Sequence, residues 1–106
     1  MLSVGFLIRV EAKPDRVAEV EAMLKSGVDH VREEGLAVVW FGLRVGPTSF
    51  VIFDAFVDEA DRQAHWDANG GTLSGAAAAE LFSESASVER VEVVAAMLPG
   101  EGSAGE

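Results

Sequence analysis

A chain of 106 residues, 49% of them apolar, is the right size for one domain with a sizeable core. A net charge of −10 argues against a polyanionic partner, because phosphate recognition needs clustered Lys and Arg, so no nucleic acid is expected. No run approaches the ~20 apolar residues that cross a bilayer. With no cysteine, disulfides and thiolate metal sites are excluded, and a cytoplasmic protein without a membrane partner is the expectation.

The start, MLSVGFLIRV, lacks a basic leader and a small-residue cleavage site, and reads as a strand rather than a signal peptide. Val4, Phe6, Ile8 and Val10 alternate with Gly5, Leu7, Arg9 and Glu11, which is a period of two. Next, KPDRVAEVEAMLKSGVDHVREEG places Val17, Val20, Leu24 and Val31 at helical spacing. Pro14 suits the first turn and Gly35 the stop, so a helix is predicted from about residue 14 to 33. LAVVWFGLRV is rich in branched and aromatic residues and reads as a second strand. GPT is a turn, and SFVIFDAFV a third strand paired with the second as a hairpin.

Asp58 can cap a second helix, with Asp61 three residues on, and that helix ends near NGG at Asn69 to Gly71. Thr72 can cap a third, short helix running through the alanines to Phe82, and Ser87 to Leu98 is the last predicted strand. Residues 99–106 are small, polar and acidic and read as a flexible tail on a domain of residues 1–98. The order β-α-β-β-α-β, its second helical segment broken in two, is the split βαβ arrangement. The fold class is α+β, ferredoxin-like, with helices on one face of a four-stranded antiparallel sheet.

The strands are apolar on both faces. Val39, Phe41, Leu43 and Val45 oppose Val38 and Trp40, and Phe50, Ile52 and Phe56 oppose Val51, Phe53, Ala55 and Val57. An antiparallel sheet with one wet face should alternate apolar with polar residues. The chain's own helices cover only one face, so a homodimer joined through the sheet faces is expected. Hiding several hundred Å² per subunit is worth on the order of 10 kcal/mol before association costs.

The element order, VEAKPDRVAEVEAML leading into the first helix, and FVIFDAFVDEADRQAH resemble the antibiotic biosynthesis monooxygenase superfamily in its dimeric α+β barrel form. The resemblance covers Val4 to Leu98. It implies a small pocket in each subunit between sheet and helices. Some members there oxygenate quinols or anthrones without metal or flavin, and others degrade haem. The haem branch uses a strand Asn, a Trp and an axial His. In this chain Arg9 takes the strand position and Trp66 matches the Trp, but SGAAAAELF supplies no His.

The implied function is a cofactor-independent monooxygenase acting on a small electron-rich aromatic, quinol- or anthrone-like. The alternative is a non-catalytic dimeric small-molecule binder or stress-associated protein of the same fold. Oxygenation of that kind needs a base, donors aimed at an oxyanion, and apolar walls. His65 is the candidate base, with an ordinary pKa near 6.5; the other reading is a helix-end His satisfied by backbone or by Asp61. Asp54, a carboxylate inside a greasy strand, either orients His65 or pairs with Arg9 or Arg44 at a subunit contact.

Trp66 is the better aromatic wall, and Trp40 reads as core or interface. Asn69 either donates to a substrate oxygen or serves the helix stop. Arg9 either stabilises an oxyanion or pairs with Asp54 or Glu11. His30 is expected to face solvent. Two distant histidines and no cysteine leave no metal-ligand spacing, and no glycine motif matches a phosphate or dinucleotide fingerprint, so neither metal nor cofactor is expected.

Overall fold

The structure is a computed structural model and describes residues 1–99. Its elements are β1 (Val4–Glu11), α1 (Val17–Glu34), β2 (Val39–Arg44), β3 (Ser49–Phe56), α2 (Glu59–Asn69), a 3₁₀ turn (Gly70–Leu73), α3 (Ala76–Leu81) and β4 (Ser87–Glu92). The strands form one antiparallel sheet in the order β2-β3-β1-β4, the α+β ferredoxin-like architecture expected from the sequence. Among the described residues no helix is long and apolar enough to cross a membrane.

Period-two alternation decides which side chains meet the helices. Phe6, Ile8 and Val10 of β1 share a face with Phe50, Ile52 and Phe56 of β3, and all six are buried. Val20 and Leu24 of α1, Ala78 of α3 and Phe82 close over them. Val17, Val20, Leu24 and Val31 fall on one stripe of α1 because a helix repeats every 3.6 residues. Gly35 ends that helix in the left-handed region (φ 74°), where only glycine sits without strain. Asp58 caps α2 as anticipated, its Oδ1 accepting from the Asp61 backbone N–H at 2.9 Å.

Several boundaries differ from expectation. α1 begins at Val17, which leaves Pro14 in the turn before the helix rather than in its first turn. Thr72 does not cap α3. It donates its hydroxyl to the Asn69 carbonyl inside the 3₁₀ turn, and Gly75 takes the cap position. The last strand ends at Glu92 rather than Leu98. Val4 pairs with Glu92, so β1 offers no partner beyond that point, and the apolar residues that follow, Val94 and Met97, are almost fully exposed. The expected tail begins at Pro99, and from residue 100 it lies outside the described residues.

The opposite face of the sheet carries no helix. Phe41, Leu43, Val45 and Val57 stand there, each about half exposed or more, with Phe41 at 52%. A run of large apolar side chains on an open sheet face is a surface that calls for a partner.

β1 and β3 approach closely at Gly5. A Cβ added there would lie 2.2 Å from the Asp54 carbonyl oxygen, whereas one added at Gly71 would meet nothing within 4 Å. Gly5→Ala is therefore expected to lower stability by about 1–3 kcal/mol. Gly71→Ala should stay within about 0.5 kcal/mol of the parent. Urea denaturation of the two variants checks the contrast.

Candidate functional site

Asp54 is the sixth residue of β3 and the only acid in that strand. Alternation puts it on the helix-covered face with Ile52 and Phe56. In register it lies between Phe6 of β1 and Trp40 of β2, so an aromatic side chain flanks it on each side. It is 1% exposed. A carboxylate at that depth needs a partner, because desolvation without one costs several kcal/mol.

α2 supplies the partner. His65 is buried on the inner face of that helix, its ring 5.2 Å from that of Phe56, and its Nε2 is 3.4 Å from Asp54 Oδ2. The other ring nitrogen, Nδ1, is 2.6 Å from Glu34 Oε1, at the last position of α1. Asn69, one turn beyond His65, donates from Nδ2 to Glu34 Oε2 at 2.7 Å and to the His65 carbonyl at 2.9 Å. Its Oδ1 meets His30 Nε2 at 2.9 Å. Glu34, His30 and Asn69 thereby clasp α1 to α2 and hold the imidazole between two carboxylates.

Burial alone would lower the pKa of His65. The hydrogen bonds and negative charges of Asp54 and Glu34 outweigh it, and the imidazole is held above its ordinary value of 6.5. For Glu34 burial pushes upward, but its hydrogen bonds to His65 and Asn69 and the charges of the two histidines bring it below 4.5. Asp54 Oδ1, by contrast, is buried with no hydrogen-bond partner, alone in this among the side-chain atoms of the described residues.

These side chains open onto a cavity of about 450 Å³, within the roughly 300–1,000 Å³ usual for small-molecule sites. Phe6, Trp40, Trp66, Met23 and Ile52 give it apolar walls. Asp54, His65, His30 and Asn69 give it polar ones, and no Lys or Arg lines it. Trp66 packs against Phe6 with ring centroids 5.2 Å apart. A second cavity, of about 490 Å³ and bounded by Ala78, Phe82 and Val88, shares Trp66, Gly70 and Leu73 with the first. A Cβ on Gly70 would stand 2.7 Å from the Trp66 ring.

Of the residues singled out in the sequence, Asp54, His65, Trp66 and Asn69 meet at this cavity. Arg9 does not. It falls on the odd-numbered face of β1, exposed and across the sheet from the cavity, so an oxyanion contact from it is out of reach. Trp40, read as core or interface, lines the cavity as well. His30 is exposed as expected, yet it also borders the cavity through Asn69.

Glu34 was missed. In the run VREEG it looks like one more solvated charge. The signal available was the helical wheel, since Glu34 lies three residues after the buried Val31 and so on the apolar stripe. Among the described residues no group of three His, Asp or Glu side chains is placed to hold a metal ion.

No family model and no curated protein matches the chain. Solved structures do. A protein of unknown function from Nitrosomonas europaea, NE2512, is 39% identical, with 93% of this chain and 96% of that one covered and a TM-score of 0.84. A Caulobacter crescentus protein provisionally assigned as an antibiotic biosynthesis monooxygenase superposes with a TM-score of 0.75 at 15% identity, over 89% of this chain and 92% of its own. Rv0793 of Mycobacterium tuberculosis gives a TM-score of 0.75 at 16% identity, over 89% and 97%.

The sign of the His65 contribution follows from its raised pKa. Stability from this group is full below the unfolded value near 6.5 and is lost as pH rises through the higher folded value. Glu34, whose pKa is lowered, contributes above 4.5 and loses that contribution as pH falls through its folded value. Urea titrations across pH should show the parent losing stability from mildly acidic to alkaline conditions. His65→Gln should flatten that slope.

Proposed function

Because the chain belongs to the family of the Nitrosomonas europaea NE2512 protein and has the ferredoxin-like fold of the antibiotic biosynthesis monooxygenases, we propose that it is a cofactor-independent monooxygenase. Its substrate is a small electron-rich aromatic of the quinol or anthrone kind. The observation that carries this reading is the buried Asp54–His65 pair opening on an aromatic-walled cavity. The binder alternative called for a cavity without buried ionisable groups, and this one has two.

Triplet oxygen reacts slowly with closed-shell carbon until the substrate is made electron-rich by loss of a proton. The anion then passes one electron to oxygen, giving a substrate radical and superoxide. The two recombine through a new C–O bond to a peroxide, which loses water to leave a carbonyl. For a ring methylene the balance is CH2 + O2 → C=O + H2O, with all four electrons and both protons coming from the substrate.

The residues divide the proton work between them. The sequence suggested His65 as base and Asp54 as its orienter, and the geometry favours the reverse. His65 has both ring nitrogens directed at carboxylates and a raised pKa, so it serves as a protonated partner to Asp54. Asp54 Oδ1 is left to take the substrate proton and return it to the departing water. Trp66, Trp40 and Phe6 hold the ring flat and keep bulk water out, and Asn69 fixes the Glu34–His65 contact from behind.

Oxygen uptake with reduced quinones tests the assignment. His65→Ala and Asp54→Asn should each slow turnover by about 10²–10⁴-fold; equal rates in all three proteins would end it.

A homodimer through the open sheet face completes the proposal. Phe41, Leu43, Val45 and Val57 form the patch that a second copy would cover. In sedimentation the parent should run as a dimer at micromolar concentration. Phe41→Glu, which sets like charges on the shared face, should shift it toward monomer by at least about tenfold in dissociation constant.

A further inference from the structure

We propose that the cavity takes its ring-shaped ligand as an uncharged molecule bearing an O–H or N–H donor, which Asp54 Oδ1 accepts, and that it rejects anions. The inference rests on the preceding reading only in taking this cavity as the ligand site. It does not depend on oxygen chemistry.

The argument starts from an imbalance at one side chain. Asp54 is buried, its Oδ2 faces His65 Nε2, and its Oδ1 has no partner in the protein. A buried acceptor left unmade costs the folded state about 1–3 kcal/mol, and a ligand that supplies the hydrogen recovers it. His65 already offsets the carboxylate charge, so what Oδ1 lacks is a hydrogen rather than a second cation. Phe6 and Trp40 stand on either side of Asp54 in the sheet register, and Trp66 packs against the Phe6 ring. A flat ring between these walls would present an edge substituent to Asp54.

Charge supplies the second half. No Lys or Arg lines the cavity. The acid that lines it is Asp54, Glu34 lies behind His65, and the His65 nitrogens are directed at these two carboxylates. His30 is tied to Asn69 Oδ1, and Asn69 Nδ2 to Glu34 and the His65 carbonyl. A carboxylate or phenolate entering here would meet the Asp54 carboxylate, with no Lys or Arg to offset its charge. A hydroxyarene must therefore enter with its proton.

Three probes of one ring system separate the possibilities: 2-naphthol, its methyl ether and 2-naphthoate. At pH 7 the naphthol is uncharged, since phenols ionise near about 10. Binding is followed by quenching of Trp66 and Trp40 fluorescence and by calorimetry. The naphthol is expected to bind at least about tenfold tighter than either of the others. In Asp54→Asn the amide carbonyl turns to the His65 N–H and the amide NH2 takes the Oδ1 position, so the naphthol's advantage over its ether should collapse.

Equal binding of the ether by the parent, tighter binding of the naphthoate, or no binding by any of the three at millimolar concentration each overturns the proposal. So does Asp54→Asn discriminating as the parent does. Because the parent with three probes already decides, a poorly folded variant does not leave the question open. Absent oxygen uptake with the naphthol preference intact would remove the oxygenase reading alone.

Discussion

The structure turns on one costly placement: a carboxylate sunk into an apolar sheet. Asp54 sits where Ile52 and Phe56 sit, on the face that the helices cover, and is 1% exposed. Such a group is tolerated only when charge and hydrogen bonds come to it. His65 brings both, and Glu34 in turn steadies His65 from the other side. The three side chains come from three elements, so their contacts tie the end of α1 and the inner face of α2 to β3.

The polar residues form one connected set rather than scattered contacts. Asn69 bonds Glu34 and the His65 backbone, and its remaining oxygen reaches His30. Each member satisfies its neighbour, and the set ties α1 to α2. The one atom omitted from this mutual satisfaction is Asp54 Oδ1. Deliberate-looking gaps in otherwise complete networks are where function is usually found, since they carry a cost that packing alone would have removed.

Much of this was legible in the residues, for physical reasons that differ from place to place. Alternation in β1 and β3 gave the shared face of Phe6, Ile8, Phe50, Ile52 and Phe56, and Asp58 marked the start of α2 by the chemistry of its cap. Alternation also tied Asp54 to Ile52 and Phe56. It could not say which face the helices cover, because both are apolar, and so it left open whether Asp54 met His65 or a second subunit. Arg9 went astray for the same reason, since it shares a strand with Phe6 but not a face. The length of β4 depended on its neighbour: six further residues had strand character, but β1 had already begun and could pair no more of them. Glu34 was hidden by distance, 31 positions from the histidine it holds, and by a neighbour, Glu33, of identical type.

Trp66, Gly70 and Leu73 stand between the two cavities. Trp66 borders both, and the backbone of Gly70 lies flush against its ring, with no room for even one added carbon. The bareness of position 70 therefore governs two chambers at once. Any side chain there would lever the partition aside, shrinking one compartment as it enlarged the other, so the size of the molecule this protein admits is written partly at a residue that has no side chain to touch it.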